Sequence, residues 1–457
     1  EMCIRDSYQS VQAAEADVNI YVAEMRFFRA LEYFNKIQLL GDVPWLEVDL
    51  NVDSEELYGP KMKRNQVFQK IIEDLDFAIQ WLPEAGSEEA NRLNKDIARH
   101  VKARFCLNEG THYKYHDELE YASEAEKWLQ MAATESDKLI TSGRYEIYNT
   151  GHPQEDYFNM YRIDDKSDLK EAVLYVDYKT NIREHNMAAA GREAGCGFSK
   201  SFVESFLCSD GLPISLSNKY LGDETMRKET ANRDPRLKQL ILTNDFPTNV
   251  TDDLKDSTFV VNEDEFITQH CFTGYRPIKG FNPIYSQALY MKSSFDGIAY
   301  RYAETLLINA EAKAELNTIT NADLDRTVNQ LRDRVGMPHL TVNVGFTDPK
   351  WPDWGYSLSP VLQEIRRERC IELAGEGFRF NDLKRWKAGK LLNNVLTYVG
   401  KRKPDGNLAI VYPNYTNPDL SYQAGKSRTW EDKMYLYPIP TGELQRNPQL
   451  LPQNPGW

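Results

Sequence analysis

From Leu362 to Trp386 the chain reads LQEIRRERCIELAGEGFRFNDLKRW, and this stretch limits what the whole can fold into more than any other. Arg366, Arg367, Glu368, Arg369 and Glu372 are interleaved with Ile365, Cys370, Ile371 and Leu373. A solvated helix keeps its charges on one face and its apolar residues on the other. Interleaving means that some charges must face neighbouring structure. Glu364 with Arg367, and Arg369 with Glu372, stand three apart and are spaced to pair on one helix surface. Gly375-Glu376-Gly377 then permits a sharp turn into a second helix from Phe378 to Ala388. The spacing predicts a helix hairpin held in a larger body by ion pairs and aromatic rings.

A chain of 457 residues is long enough for two or three domains, or for one large interlocked one. Lys and Arg total 55 against 69 Asp and Glu, a net charge of −14, and this balance opposes a nucleic-acid partner, whose phosphates require a basic footprint. No apolar run approaches the length of a membrane-spanning helix. The six cysteines (Cys3, Cys106, Cys196, Cys208, Cys271 and Cys370) show neither CxxC nor metal-ligand spacing. Cys106 and Cys370 fall in helical patterns, where buried free thiols are expected. Spacing leaves open whether Cys196, Cys208 or Cys271 pair. Glu1 to Ser10 has no apolar core of a signal peptide, and Cys3 lacks the apolar run that precedes a lipid-modified cysteine.

Apolar residues at spacings of three and four predict a helix from Ala13 to Gly41 and a second one up to Pro83. A third covers about Ile97 to Tyr113, and a fourth about Ser123 to Thr141, stopped by Ser142-Gly143. The helical period then lapses, and Ala172 to Tyr178 is the clearest strand. Helix returns at Ile298, with a partner from about Ala322 to Arg334. The expected class is mainly α: four tetratricopeptide-like helix pairs carrying an irregular, loop-rich half with short strands. We expect one interlocked body over 1–457. It comprises a first helical half at 13–143 whose amino-terminal part is incomplete, an insertion at 144–297, a second helical half at 298–390 that includes an aromatic loop at 346–356, and an irregular segment at 391–457 packing back on the scaffold.

Carboxylates are plentiful, so enzyme readings come first. Glu368 with Glu372, or Glu304 with Glu311, would suit a glycosidase only if two carboxyls flanked a substrate about 5–10 Å apart. Their place among Arg366, Arg367, Arg369 and Arg379 predicts structural ion pairs instead. The histidines are scattered; His112 and His116 share a helix face but no third ligand is near, so neither a metal nor another cofactor is expected. No GxSxG, P-loop or GxGxxG context occurs.

Taken in order, several segments resemble the SusD/RagB family of nutrient-binding outer-membrane lipoproteins of Bacteroidota. They are Arg26-Phe27-Phe28-Arg29-Ala30, Gly41-Asp42-Val43-Pro44, Ile72-Glu73-Asp74-Leu75-Asp76, Asn232-Arg233-Asp234-Pro235-Arg236-Leu237, Arg301-Tyr302-Ala303-Glu304, and Leu331-Arg332 with Arg334. Glu368-Arg369, Glu372-Leu373, Glu376-Gly377-Phe378-Arg379, Arg385-Trp386 and the closing Gln453-Asn454-Pro455-Gly456-Trp457 complete the set. The resemblance implies a non-catalytic, surface-exposed, lipid-anchored protein of the outer membrane that captures oligosaccharides beside a SusC-like TonB-dependent transporter. Family members carry a signal peptide, a lipidated cysteine and further helix before the position matching Tyr21, so the anchor is inferred from the resemblance alone.

Sugar capture requires rings that pack on the C–H face of a pyranose and side chains that bond its hydroxyls, and exposed loops are where to seek them. The loop Asp348 to Tyr356 offers Trp351, Trp354 and Tyr356 beside Asp353, stiffened by two prolines. The segment after Pro44 offers Trp45, Tyr58, Arg64 and Asn65, and a third runs from Tyr275 to Tyr285 with Arg276, Lys279, Phe281 and Asn282. The rival readings are a helix-repeat scaffold for protein partners, and capture of peptide or glycopeptide.

Overall fold

The computed structural model describes residues 15–87, 91–188, 197–268, 270–410 and 429–457, which form two compact units. Cys3 and Cys196 lie outside the described residues; Cys106, Cys208, Cys271 and Cys370 are free thiols.

The first unit holds residues up to 139, 384–389 and 430–457. Its helices are α1 (Glu15–Leu40), α2 (Arg64–Trp81), α3 (Lys95–Tyr115) and α4 (Ala122–Thr141). On α1 the buried residues Phe27, Ala30, Phe34 and Ile37 recur at three and four, the period of one helical face. Gly41 ends α1 in the left-handed region that only glycine enters freely, its N–H donating to the Ile37 carbonyl at 3.0 Å. The Asn94 side chain caps α3 by accepting from the Ile97 N–H. Phe34 stacks on Phe105 at 3.6 Å and Phe68 meets Trp128 edge-on at 4.8 Å, so α1, α2, α3 and α4 share one aromatic core. Residues after Trp430 return to the end of α1: the Tyr437 N–H donates to Leu39 O, and the Asn454 amide to Leu40 O.

The second unit, residues 140–383 and 390–429, is less regular. Its strands β1 (Ala172–Val176), β2 (Pro247–Val250), β3 (Ser257–Phe259), β4 (Gly297–Arg301), β5 (Val399–Arg402) and β6 (Leu408–Ile410) make three antiparallel pairs, β1 with β4, β2 with β3, and β5 with β6. The core gathers Tyr157, Phe206, Leu237, Leu240, Tyr275 and Ile278. The longer helices are α5 (Tyr302–Glu315), α6 (Val328–Arg334), α7 (Pro360–Glu372) and α8 (Arg379–Arg385, which continues into the first unit). The class is mainly α with short strands.

Two expectations need correction. Helix does not begin at Ile298: Gly297–Arg301 pairs with β1, with Leu174 opposite Tyr300 and Tyr175 opposite Ile298, and α5 starts only at Tyr302. A waiting partner strand overrides the helical period there. The span Ala322–Arg334 is two helices, Asn321–Asp325 and α6, broken where the Thr327 hydroxyl bonds back to the Asp323 carbonyl at 2.6 Å.

Candidate functional site

Most charges of the opening stretch face inward, while Arg379 is exposed. Glu372, 0% exposed, accepts from Arg301 at 2.7 Å, from Arg334 at 2.7 Å and from Arg236 at 3.0 Å. Glu368 takes Arg236 and, at 3.0 Å, Arg332. Glu376 takes Arg301 at 2.7 Å and Lys279 at 2.6 Å. Burial pushes the Glu372 carboxyl up, but the guanidiniums of Arg334, Arg301 and Arg236 outweigh it and hold the group well below the usual carboxylate range. These partners correct the expectation from local spacing. Arg369 bonds Asp382 at 3.0 Å rather than Glu372, whereas Glu364 and Arg367 do pair, at 3.2 Å. A buried helix face meets other elements, so its partners come from far along the chain. Glu311 lies 3.8 Å from Arg369 and is likewise buried. A carboxylate ringed by guanidiniums neither gives up a proton nor reaches a sugar, so this cluster is a clamp.

The loop from Asp348 to Tyr356 is docked on α7, which Ser359 caps by accepting from the Leu362 N–H. The Trp351 indole N–H donates to Glu364 at 2.7 Å, and that of Trp354 to Gln363 at 2.7 Å. Arg366 donates to the Tyr356 hydroxyl at 3.1 Å and lies 4.7 Å over the Trp354 ring. Asp348 joins Arg367 at 2.6 Å and Ser215 at 2.7 Å. Trp354 is 6% exposed and serves as the buried anchor. Trp351 and Tyr356 are half-buried and Asp353 is exposed, so two rings and one acceptor reach the surface together.

Tyr275 is fully buried, its hydroxyl on the Glu229 carboxylate at 2.8 Å, and presents no ring face to solvent. Arg276 is half-buried, 5.8 Å over the Phe281 ring. Tyr285, which closes that candidate stretch, is 51% exposed, and Tyr290, which sequence reasoning did not single out, is 74% exposed. The run around Tyr290, Ile284 to Met291, is largely apolar, so no sequence signal marked that ring as open.

In the first unit, Arg64 is buried on Glu109 at 2.8 Å, and Asn65 donates to Glu124 at 2.9 Å. Tyr58 is exposed. Trp45 is half-buried, its ring 4.2 Å from Tyr33 and 5.1 Å from the Arg29 guanidinium. Beside it Met25, Arg26, Arg29 and residues 46–49 line a cleft of about 160 Å³, small against ordinary ligand pockets. Trp351, Asp353, Trp354 and Tyr356 are thus brought together; Trp45, Tyr58, Arg64 and Asn65 belong to the other unit.

The sequence profile of the SusD family matches residues 139–457. The chain belongs to the SusD family. A SusD-like protein of Formosa agariphila is 25% identical over an alignment 456 residues long that covers 97% of this chain and 75% of that protein. Among solved structures, a SusD-like protein from Bacteroides fragilis superposes with a TM-score of 0.73 at 24% identity, covering 100% of this chain and 83% of that one. A SusD-like carbohydrate-binding protein of the same species gives 0.70 at 22%, covering 98% and 83%. The surface glycan-binding protein A of Bacteroides uniformis gives 0.58 at 17%, covering 99% and 82%. At these identities the superpositions establish the SusD fold. Several of the segments that carry the sequence resemblance meet in the clamp: Asp234 with Arg236, Arg301, Arg332 with Arg334, Glu368 and Glu372.

Proposed function

We propose that this SusD-family protein captures oligosaccharides at the outer-membrane surface, without cleaving them, and delivers them to a SusC-like TonB-dependent transporter. The observation that carries the reading is family membership over residues 139–457. The fold it shares with proteins described as carbohydrate-binding and surface glycan-binding supports it. A lipid anchor ahead of the described residues goes with this assignment. Among the described residues no helix is long and apolar enough to cross a membrane.

Trp351 and Tyr356, with Asp353 as acceptor, are the ring pair assigned to the sugar, and Trp45 and Tyr58 of the first unit are further candidates. Two or three stacked rings at about 1–1.5 kcal/mol each, with a few exposed hydrogen bonds, total about 4–6 kcal/mol. That corresponds to dissociation constants of about 0.05–1 mM, weak enough for hand-over. Calorimetry against a panel of oligosaccharides tests the reading: at least one class binds in this range, and Trp351→Ala weakens it by about five- to twelvefold. A panel without any binder, or release of reducing ends by the pure protein that disappears in Glu368→Gln, overturns it.

A further inference from the structure

The loop that carries Trp351 and Tyr356 hangs on one stretch of α7. Gln363 takes the Trp354 indole N–H, Glu364 takes that of Trp351, and Arg366 donates to the Tyr356 hydroxyl. Glu368 and Glu372, about one and two turns further along the same helix, are fixed in the clamp. The helix surface that sets the rings is therefore itself pinned.

Glu364 has the plainest task of the three. It is 0% exposed, and the Trp351 N–H at 2.7 Å and Arg367 at 3.2 Å both meet its Oε1. Its Oε2 has no hydrogen-bond partner among the described residues. Arg367 does not depend on this carboxylate, since it also donates to Asp348 at 2.6 Å and to the Ser205 carbonyl at 3.1 Å. Asp348 accepts in turn from the Ser215 hydroxyl at 2.7 Å and the Lys350 backbone N–H at 2.8 Å, and its carbonyl accepts from the Trp351 backbone N–H at 3.1 Å. Arg367 and Asp348 thus fasten the backbone of the loop without Glu364. What is left to Glu364 is the side chain of Trp351. Phe346, 6.1 Å from that ring and tilted by 32°, touches it without a polar anchor.

An indole has one donor and no acceptor. With that donor spent on a buried carboxylate, Trp351 has nothing left to bond a sugar hydroxyl. Its half-buried ring meets solvent with carbon alone. We propose, on the reading that Trp351 contacts sugar, that Glu364 is the positioning residue of this platform: it turns the N–H edge of Trp351 into the protein, so that the ring takes a pyranose by its C–H face only. A ring already held in its bound pose loses little freedom when the ligand arrives, whereas a loose ring must be ordered at that moment.

Two measurements on the full chain test this role. The first needs no ligand: indole N–H exchange by NMR, with Trp351 identified among the eight tryptophans by the signal lost in Trp351→Phe. Exchange of that proton is expected to quicken by about tenfold or more in Glu364→Leu, and to stay slow in Glu364→Gln, whose amide oxygen accepts in the same place. The second is calorimetry with maltoheptaose, cellohexaose and xylohexaose as probes. A probe that binds the wild type should bind Glu364→Leu about two- to twelvefold more weakly, the range for ordering one side chain, and Glu364→Gln within about twofold. In a Trp351→Phe background, where no N–H is left to hold, Glu364→Leu should add no further loss. Unaltered exchange in Glu364→Leu overturns the proposal, as does a Glu364→Gln variant that binds as weakly as Glu364→Leu. Should Glu364→Leu not fold, Trp351→Phe decides: a loss as large as that of Trp351→Ala means that the N–H contacts the sugar, and overturns the role given to Glu364. Three probes without a binder would count against sugar capture, and the exchange measurement then decides by itself whether Glu364 holds the ring.

Discussion

Glu372 holds three guanidiniums on one carboxylate in a site closed to water. Removing one member of such a group leaves the others buried and uncompensated, which costs far more than the net worth of any pair. Glu372→Gln is therefore expected to lower stability by about 3–5 kcal/mol in urea unfolding; an unchanged midpoint would mean that the clamp is not closed in solution. Two tryptophans of one loop should behave differently. Trp354, buried under Arg366, is expected to cost about 3–5 kcal/mol as Trp354→Ala. Trp351→Ala, at a half-buried ring, should cost about 1–2 kcal/mol and act mainly on sugar affinity. Equal losses in thermal unfolding would reverse these assignments. The clustering of these three rings was legible in the sequence, because two prolines and the polar residues between them mark a stiff loop. Which ring faced inward was not legible, since all three are large and amphipathic, and only the positions of Gln363, Glu364 and Arg366 on α7 decide it.

Elements were read best where one period ran unopposed. The four helices of the first unit stand close to the positions that apolar spacing, Gly41 and Pro83 imply. The reading failed at Ile298, where the helical pattern of α5 extends back through residues that β1 captures as a strand. It also failed at Thr327, where a side chain competes with the backbone for a carbonyl. At one helix crossing the contact is closer than sequence reveals. A Cβ added at Gly110 of α3 would meet Leu129 of α4 at 2.8 Å. Gly110→Ala should therefore destabilise by about 1–3 kcal/mol through overpacking, although alanine favours helix. A Gly110→Ala variant as stable as the wild type, by denaturant midpoint, would show that the two helices can move apart freely.

For the molecule as a whole the acid limb of stability is set by carboxylates that the fold holds ionised. Burial raises Asp223 and Glu118, but Arg402 with Lys200, and His116 with Lys387, outweigh it and bring both to about 2; Glu372 lies lower still. Their folded values are below the unfolded ones, so the stability they contribute is present above about 4.5 and lost as pH falls toward 2. Solvent damps the share of Glu118, which is half exposed. The urea midpoint should drop steeply between pH 4.5 and 2.5, and Glu372→Gln should flatten that drop; parallel curves for the two proteins would refute this. The mainly helical class, the breaks at glycine and proline, and membership in the family could be read along the chain, because local period and ordered motifs are properties of neighbouring residues. The partners of those motifs were decided only in three dimensions. Arg236, Arg301 and the pair Arg332 and Arg334 stand on three separate elements and reach Glu368 and Glu372 through chain closure alone. A charge that seeks solvent and one that seeks a buried partner have the same letter, and only desolvation by the surrounding fold tells them apart.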